Sequence, residues 1–214
     1  RNSAHAGGRL IFRRGDAIEE LRRLIDESKA EAVFLNRDVD PHGREMEKKV
    51  RELCREKGIE FRDYQDAVIH EADEVLTQSG GPYKVYTPYS RSWFDQEKPD
   101  PVPTVRTLHT LTTIRKGEVP SVSDWGLNHD DELLREPGER SARNRLKRAV
   151  RDVIGDYAEK RNDPAADATS HLGADLRWGT LSPREVFHAA EKARQDTKSQ
   201  AKRKSIHTFQ KQLA

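Results

Sequence analysis

Residues 32–61 read A-V-F-L-N-R-D-V-D-P-H-G-R-E-M-E-K-K-V-R-E-L-C-R-E-K-G-I-E-F, and this stretch sets the fold class of the chain. Ala32-Val33-Phe34-Leu35 is a short apolar run with β-branched and aromatic members, the composition of a strand. Pro41 then stands where a helix begins, and Met46, Val50, Leu53 and Cys54 fall on one stripe until Gly58 ends it. Ile59-Glu60-Phe61 is the next strand. Working outward, Arg9-Leu10-Ile11-Phe12 reads as an earlier strand, and Gly15-Asp16 opens a helix whose Ile18, Leu21, Leu24 and Ile25 share a face. Ala67-Val68-Ile69 is a candidate fourth strand. Strand and helix alternating at this rhythm mean right-handed βαβ units and a parallel sheet. Three or four strands leave such a sheet with an uncovered edge, so further strands are expected ahead of Arg1.

Beyond this block the pattern dissolves. Pro99, Pro101, Pro103, Pro120 and Pro137 break the stretch from Gln96 to Pro137, and connections of that length are functional or join domains. From Gly138 onward the periodicity is helical. Ala142, Leu146, Ala149, Val150, Val153, Ile154 and Tyr157 recur at three- and four-residue steps. Ser182-Pro183-Arg184-Glu185 reads as a capping box with Pro at the first helical position, followed by the apolar face of Val186, Phe187, Ala190 and Ala193. A last helix from about Ser199 buries Ile206, Phe209 and Leu213.

Of the 214 residues 34% are hydrophobic and 36% charged, so the cores are modest and the surface is dense in charge. A net charge of +2 hides an asymmetry: residues 1–138 carry a net −5, whereas residues 139–214 carry a net +7. Two modules with different partners are the simplest reading, the basic one facing a polyanion. The single Cys54 excludes an internal disulfide and a thiolate zinc site, and its place on an apolar face makes it a buried, inert thiol. The eight histidines are too scattered to suggest a metal cluster, and no Ser-His-Asp arrangement or phosphate loop is present. No run approaches the roughly 18 apolar residues that cross a bilayer, and no signal peptide is visible. A cytoplasmic location is therefore expected.

Residues 157–184 concentrate the remaining chemistry: Y-A-E-K-R-N-D-P-A-A-D-A-T-S-H-L-G-A-D-L-R-W-G-T-L-S-P-R. Thr169 and Ser170 are two hydroxyls at a helix start, where free N–H groups bind phosphate. The same pair also suits a plain helix cap, Tyr157 a core aromatic on the stripe, and Arg161 a solvated helix end. Trp178 reads as core packing.

Two segments resemble the DNA photolyase/cryptochrome family. The first runs from Asn36 (N-R-D, then D-P-H-G-R-E-M-E and G-I-E-F) and closes on S-G-G-P-Y-K-V-Y-T-P-Y-S-R-S-W up to Trp93, which is similar to the end of that family's antenna domain. The second, G-E-R-S-A-R-N-R-L from Gly138 and then residues 157–184, is similar to the opening of its FAD domain.

The resemblance implies an α/β fold: a partial, doubly wound parallel-sheet (Rossmann-like) antenna domain over residues 1–95, a linker over 96–137, and the first helices of an all-α FAD-binding domain over 138–214. It implies a piece lacking both ends of the full-length family member, with catalytic groups expected beyond residue 214 and no metal. Residue by residue, Tyr157 matches the aromatic group beside the flavin. Thr169 and Ser170 match the hydroxyl pair on the FAD phosphates, with His171, Leu172 and Gly173 in the same turn. Gly173 stands where the family often has Ser. Arg161 matches a basic residue on the DNA backbone. The implied activity is light-driven repair of pyrimidine dimers by electron transfer from reduced, excited FAD, on damaged DNA and as a monomer. The alternative is a cryptochrome-type blue-light receptor without repair. Folate-binding members carry an Asn-Glu pair where this chain has His42-Gly43, which disfavours folate and leaves the antenna chromophore, if one is bound, of unknown type.

Overall fold

A computed structural model describes residues 7–65, 68–71, 73–127 and 135–214. The chain forms two compact units, Arg1–Asp66 with Pro103–Leu134, and Ala67–Val102 with Arg135–Ala214. These units do not follow the sequential blocks expected from the sequence. The stretch 68–95, expected with the sheet, packs among helices, because Ile69, Val75 and Trp93 share a buried cluster with Phe187.

In the α/β unit, α1 (Ala17–Ser28) starts where Asp16 accepts hydrogen bonds from the N–H groups of Ile18 and Glu19, both at 3.0 Å. Strand β1 (Ala32–Asn36) follows, then α2 (Pro41–Lys57) and β2 (Glu60–Tyr64). Asp40 caps α2 ahead of Pro41, and Gly58 ends it in the left-handed region at φ 68°. The strands pair in parallel, from Ala32 opposite Glu60 to Asn36 opposite Tyr64, as a βαβ crossover requires. Ile25, Val50, Leu53 and Cys54 are buried, and burial raises the Cys54 thiol above its ordinary pKa. Arg22 spans to Glu56 and Lys57 to Asp26, so exposed ion pairs join α1 and α2. On the sheet's other face Phe34 and Tyr64 stack at 6.3 Å and are exposed, with Arg62 over the Phe34 ring.

Among the described residues, two expected strands do not form. Arg9–Phe12 lies extended beside residues 112–116, held by one backbone bond (Phe12 N–H to Lys116 O, 2.7 Å) and by the Arg9 guanidinium on the carbonyls of Thr112 and Ile114. Side-chain anchoring of this kind builds no ladder, and a strand without a ladder is not one. At the candidate fourth strand Ala67 lies outside the described residues, while Val68 and Ile69 are irregular.

The helical unit comprises α3 (Tyr86–Asp95), α4 (Glu139–Arg148), α5 (Tyr157–Lys160), α6 (Gly173–Arg177), α7 (Pro183–Asp196) and α8 (Gln200–Gln210). A π-helical turn, Ala149–Val153, extends α4. Its wider winding brings Ile154 into the buried cluster with Ala142, Leu146, Ala149 and Tyr157, while Val153 is only half-buried. The break between this turn and α5 is closed by buried Ser205 of α8. Its Oγ donates to Ile154 O at 3.0 Å and accepts the Ala158 N–H at 2.9 Å. Ser182 caps α7 through the Arg184 N–H, but the reciprocal half of the expected capping box is missing. The Glu185 carboxylate instead accepts from Arg143 Nε at 2.9 Å, a charge-assisted bond across to α4. Trp178 also departs from expectation. It is 80% exposed, because α6 ends at Arg177 and the buried positions there belong to Leu172 and Leu181.

Candidate functional site

The expected site residues lie in the helical unit, in the turn before α6 and on α5. Leu172 is the N-cap residue of α6 and is buried in the same apolar cluster as Tyr157. Three residues of chain separate Thr169 from α6, so neither Thr169 nor Ser170 caps the helix, and no side chain does. Thr169 is exposed and Ser170 half-buried, and among the described residues neither hydroxyl has a hydrogen-bond partner. Gly173 opens α6, and a Cβ there would meet nothing within 4 Å.

The turn carrying those hydroxyls is conformationally costly. Asp167 (φ 41°) and His171 (φ 54°) both adopt the left-handed region, which non-glycine residues hold only when the surroundings impose it. Asp167 pairs with His171 Nε2 and lies 3.6 Å from Arg148 of α4. His171 first, then Arg148 and Arg135, hold the Asp167 carboxyl below its ordinary range. After the turn, Asp175 accepts from Arg145 Nε at 2.8 Å and Nη2 at 2.6 Å, and from Thr180 Oγ1 at 2.9 Å. Arg145, helped by Thr180, depresses the Asp175 pKa against the opposing effect of burial. α4 thus grips the segment on both sides of Thr169 and Ser170. Sequence reading missed Arg145, Arg148, Asp167 and Asp175. The one available signal was the spacing of Arg145 and Arg148 on a single helix face.

Tyr157 is 9% exposed and meets Phe209 edge-on at 5.4 Å. Arg161 lies with its guanidinium carbon 5.9 Å from the Tyr157 ring centroid. It is exposed and has no carboxylate partner among the described residues, which leaves its charge available to a polyanion. The structure therefore joins Tyr157 to Leu172 through one core and Arg161 to Tyr157 through a cation–π contact.

In the α/β unit, Gly43 sits in the first turn of α2 against Asp38. A Cβ on Gly43 would fall 2.4 Å from the Asp38 Cβ, so residue 43 has no room for a side chain. Asp38 is itself engaged, accepting the Asp40 N–H at 3.0 Å while its own N–H binds Glu47. Among the described residues no group of three or more His, Cys, Asp or Glu side chains is placed to hold a metal ion. No helix among them is long and apolar enough to cross a membrane.

Comparison with known proteins places the chain. The family model described as DNA photolyase matches residues 1–106. A deoxyribodipyrimidine photo-lyase of Synechococcus is 35% identical over 98% of this chain. The chain belongs to the DNA photolyase family. Among solved structures, a bacterial class III photolyase from Agrobacterium tumefaciens superposes with a TM-score of 0.87 at 31% identity over 99% of the chain. A Synechocystis cryptochrome shares the fold, with a TM-score of 0.78 at 18% identity over 92% of the chain. The chain spans less than half of these photolyases, 45% of the Synechococcus protein and 44% of the Agrobacterium structure. The α/β reading of the first part agrees with these neighbours.

Proposed function

We propose that this chain is the antenna-side and early flavin-binding part of a deoxyribodipyrimidine photo-lyase that repairs pyrimidine dimers in damaged DNA under blue light. Residues 1–95 correspond to the antenna domain, although their last stretch, 68–95, packs with the helical unit, and residues 138–214 begin the helical FAD-binding domain. The observation that carries the reading is the pair of unpartnered hydroxyls on Thr169 and Ser170, in a turn tied to α4 on both sides. Asp167 ends the 3-10 turn Pro164–Ala166 in the left-handed region and His171 takes that region just before α6, so the segment carrying the two hydroxyls is bounded by a left-handed residue on each side. The residues fit FAD: Thr169 and Ser170 would donate to its diphosphate, and the backbone of His171, Leu172 and Gly173 would line the same turn. When bound, FAD supplies the light-driven electron transfer that opens the dimer, while the protein supplies binding and orientation. Tyr157 is a wall, held against Phe209 so that its ring keeps one orientation. Arg161 contributes a sequence-independent phosphate contact that positions the duplex without reading it. The dimer must leave the stack for its reacting bonds to be reached. A folate held through residue 43 is disfavoured, since Asp38 fills the space that a carboxylate side chain there would need.

The test is made on the protein encoded by the complete reading frame. Removing both hydroxyls with Thr169→Val and Ser170→Ala is expected to weaken FAD retention about a hundred-fold or more, two hydrogen bonds to a charged group at about 1.5–3 kcal/mol each. The unsubstituted protein is expected to restore ultraviolet-damaged DNA only when illuminated. FAD binding without light-dependent repair would assign the chain to the cryptochrome side instead.

A further inference from the structure

Asp175 is the only charged side chain among the buried residues described, at 5% exposure. Burying a carboxylate is costly unless it is fully paired, and such pairs rarely add stability over an apolar packing of the same shape. This one is paired with unusual completeness. The Arg145 fork binds both its oxygens, Thr180 Oγ1 adds a third bond, and the remaining Arg145 Nη1 donates to Glu136 O at 2.9 Å. The Asp175 carbonyl also accepts the N–H groups of Thr180 at 2.9 Å and Leu181 at 3.2 Å. The element so anchored, α6, is only five residues long and begins with a glycine, so it cannot persist by its own hydrogen bonds. Two residues before α6 stands His171 and four before that Asp167, both in the left-handed backbone region, with Thr169 and Ser170 between them. Leu172 fixes one end of that segment in the core, and the Asp175 side chain fixes the next turn.

We infer that Arg145 and Asp175 are positioning residues for the cofactor turn, setting where the Thr169 and Ser170 hydroxyls stand rather than merely tying helices together. This rests on the reading of those hydroxyls as diphosphate donors. A fully formed pair explains why a buried charge is retained at the root of so short a helix: its fork geometry admits one orientation of α6, whereas apolar contacts would tolerate several.

The test is a double-mutant cycle on the protein encoded by the complete reading frame, read as the FAD dissociation constant by flavin fluorescence. Asp175→Asn is expected to weaken FAD by about ten- to a hundred-fold, the range set by misplacing a binding group by up to about an ångström. In the Thr169→Val/Ser170→Ala background the same change is expected to cost less than about two-fold, because the groups it positions are gone. Equal losses in both backgrounds, or no loss in the first, would overturn the inference, since a purely structural role is additive. If Thr169→Val/Ser170→Ala alone leaves FAD affinity unchanged, the diphosphate reading itself fails, and the inference with it. Should Asp175→Asn not fold, Arg145→Lys keeps the charge and loses the fork. It is expected to show the same non-additivity, and additivity there would overturn the inference equally.

Discussion

Gly43 and Gly173 both lie in the first turn of a helix, yet substituting them is expected to act in opposite directions. At Gly173 nothing lies within 4 Å of a new Cβ, so Gly173→Ala is expected to stabilise by about 0.5–1 kcal/mol through lost unfolded-state freedom. At Gly43 the Asp38 Cβ and Cγ occupy that space, and Gly43→Ala is expected to destabilise by about 1–3 kcal/mol. Denaturant midpoints at constant m-value check both. A third residue-scale expectation concerns Arg161, exposed and without a carboxylate partner among the described residues. If it touches one phosphate, Arg161→Ala lowers the salt slope of duplex binding by about 0.9 and weakens binding to all sequences alike. A change confined to one sequence would argue against a backbone contact. Tyr157 shows how close the functional and packing roles lie, since the same ring belongs to the buried cluster and stacks with Arg161.

At the scale of elements, the passage from α4 through the π-turn to α5 is the most informative. A regular α-helix through 149–157 would preserve the three- and four-residue stripe read from the sequence, and a wider turn changes which residue faces inward. The break costs backbone hydrogen bonds, and Ser205 supplies two of them from α8. Ser205→Ala leaves a buried carbonyl and N–H without these partners, so a loss of about 1–3 kcal/mol is expected. Equilibrium unfolding measures it, and a loss below about 0.5 kcal/mol would show that the break is satisfied in another way. The helix starts at Asp16, Asp40, Ser182 and Ser199 were all legible, because each cap is decided by neighbours within three residues. The capping box at Ser182 was not, since Glu185 had a better partner in Arg143, distant in sequence.

Across the helical unit, half-buried titratable groups give stability a definite pH dependence. Burial, reinforced by nearby cations, holds His70 and His207 below the ordinary histidine value of 6.5. For both, the folded state binds fewer protons than the unfolded chain. Their contribution is therefore present above pH 6.5 and is lost as pH falls through the lowered folded values. Glu191, held to about 2 chiefly by Arg194 and also by Gln210 and Gln195, adds a second loss as pH drops below 4.5. Thermal midpoints recorded from pH 8 down to pH 3 are expected to fall in two stages, with His70→Gln and His207→Gln flattening the first (pH values placed about the reference pKa values of His and Glu). A single acid transition near pH 4 that both substitutions leave unchanged would refute this assignment.

The local code was enough for the βαβ crossover of β1, α2 and β2, for the helical second part, and for the family. Each depends on periodicity, caps or short phrases read within a few residues. Three things were out of its reach. Residues 9–12 have the composition of a strand, but a strand exists only through a paired neighbour, and there they meet an irregular segment instead. Trp178 has the chemistry of a core residue and is exposed, because α6 stops one residue earlier. The hold on Thr169 and Ser170 comes from Arg145 and Arg148, about twenty to thirty positions away in sequence, and pairings over such separations are settled only when the chain closes on itself.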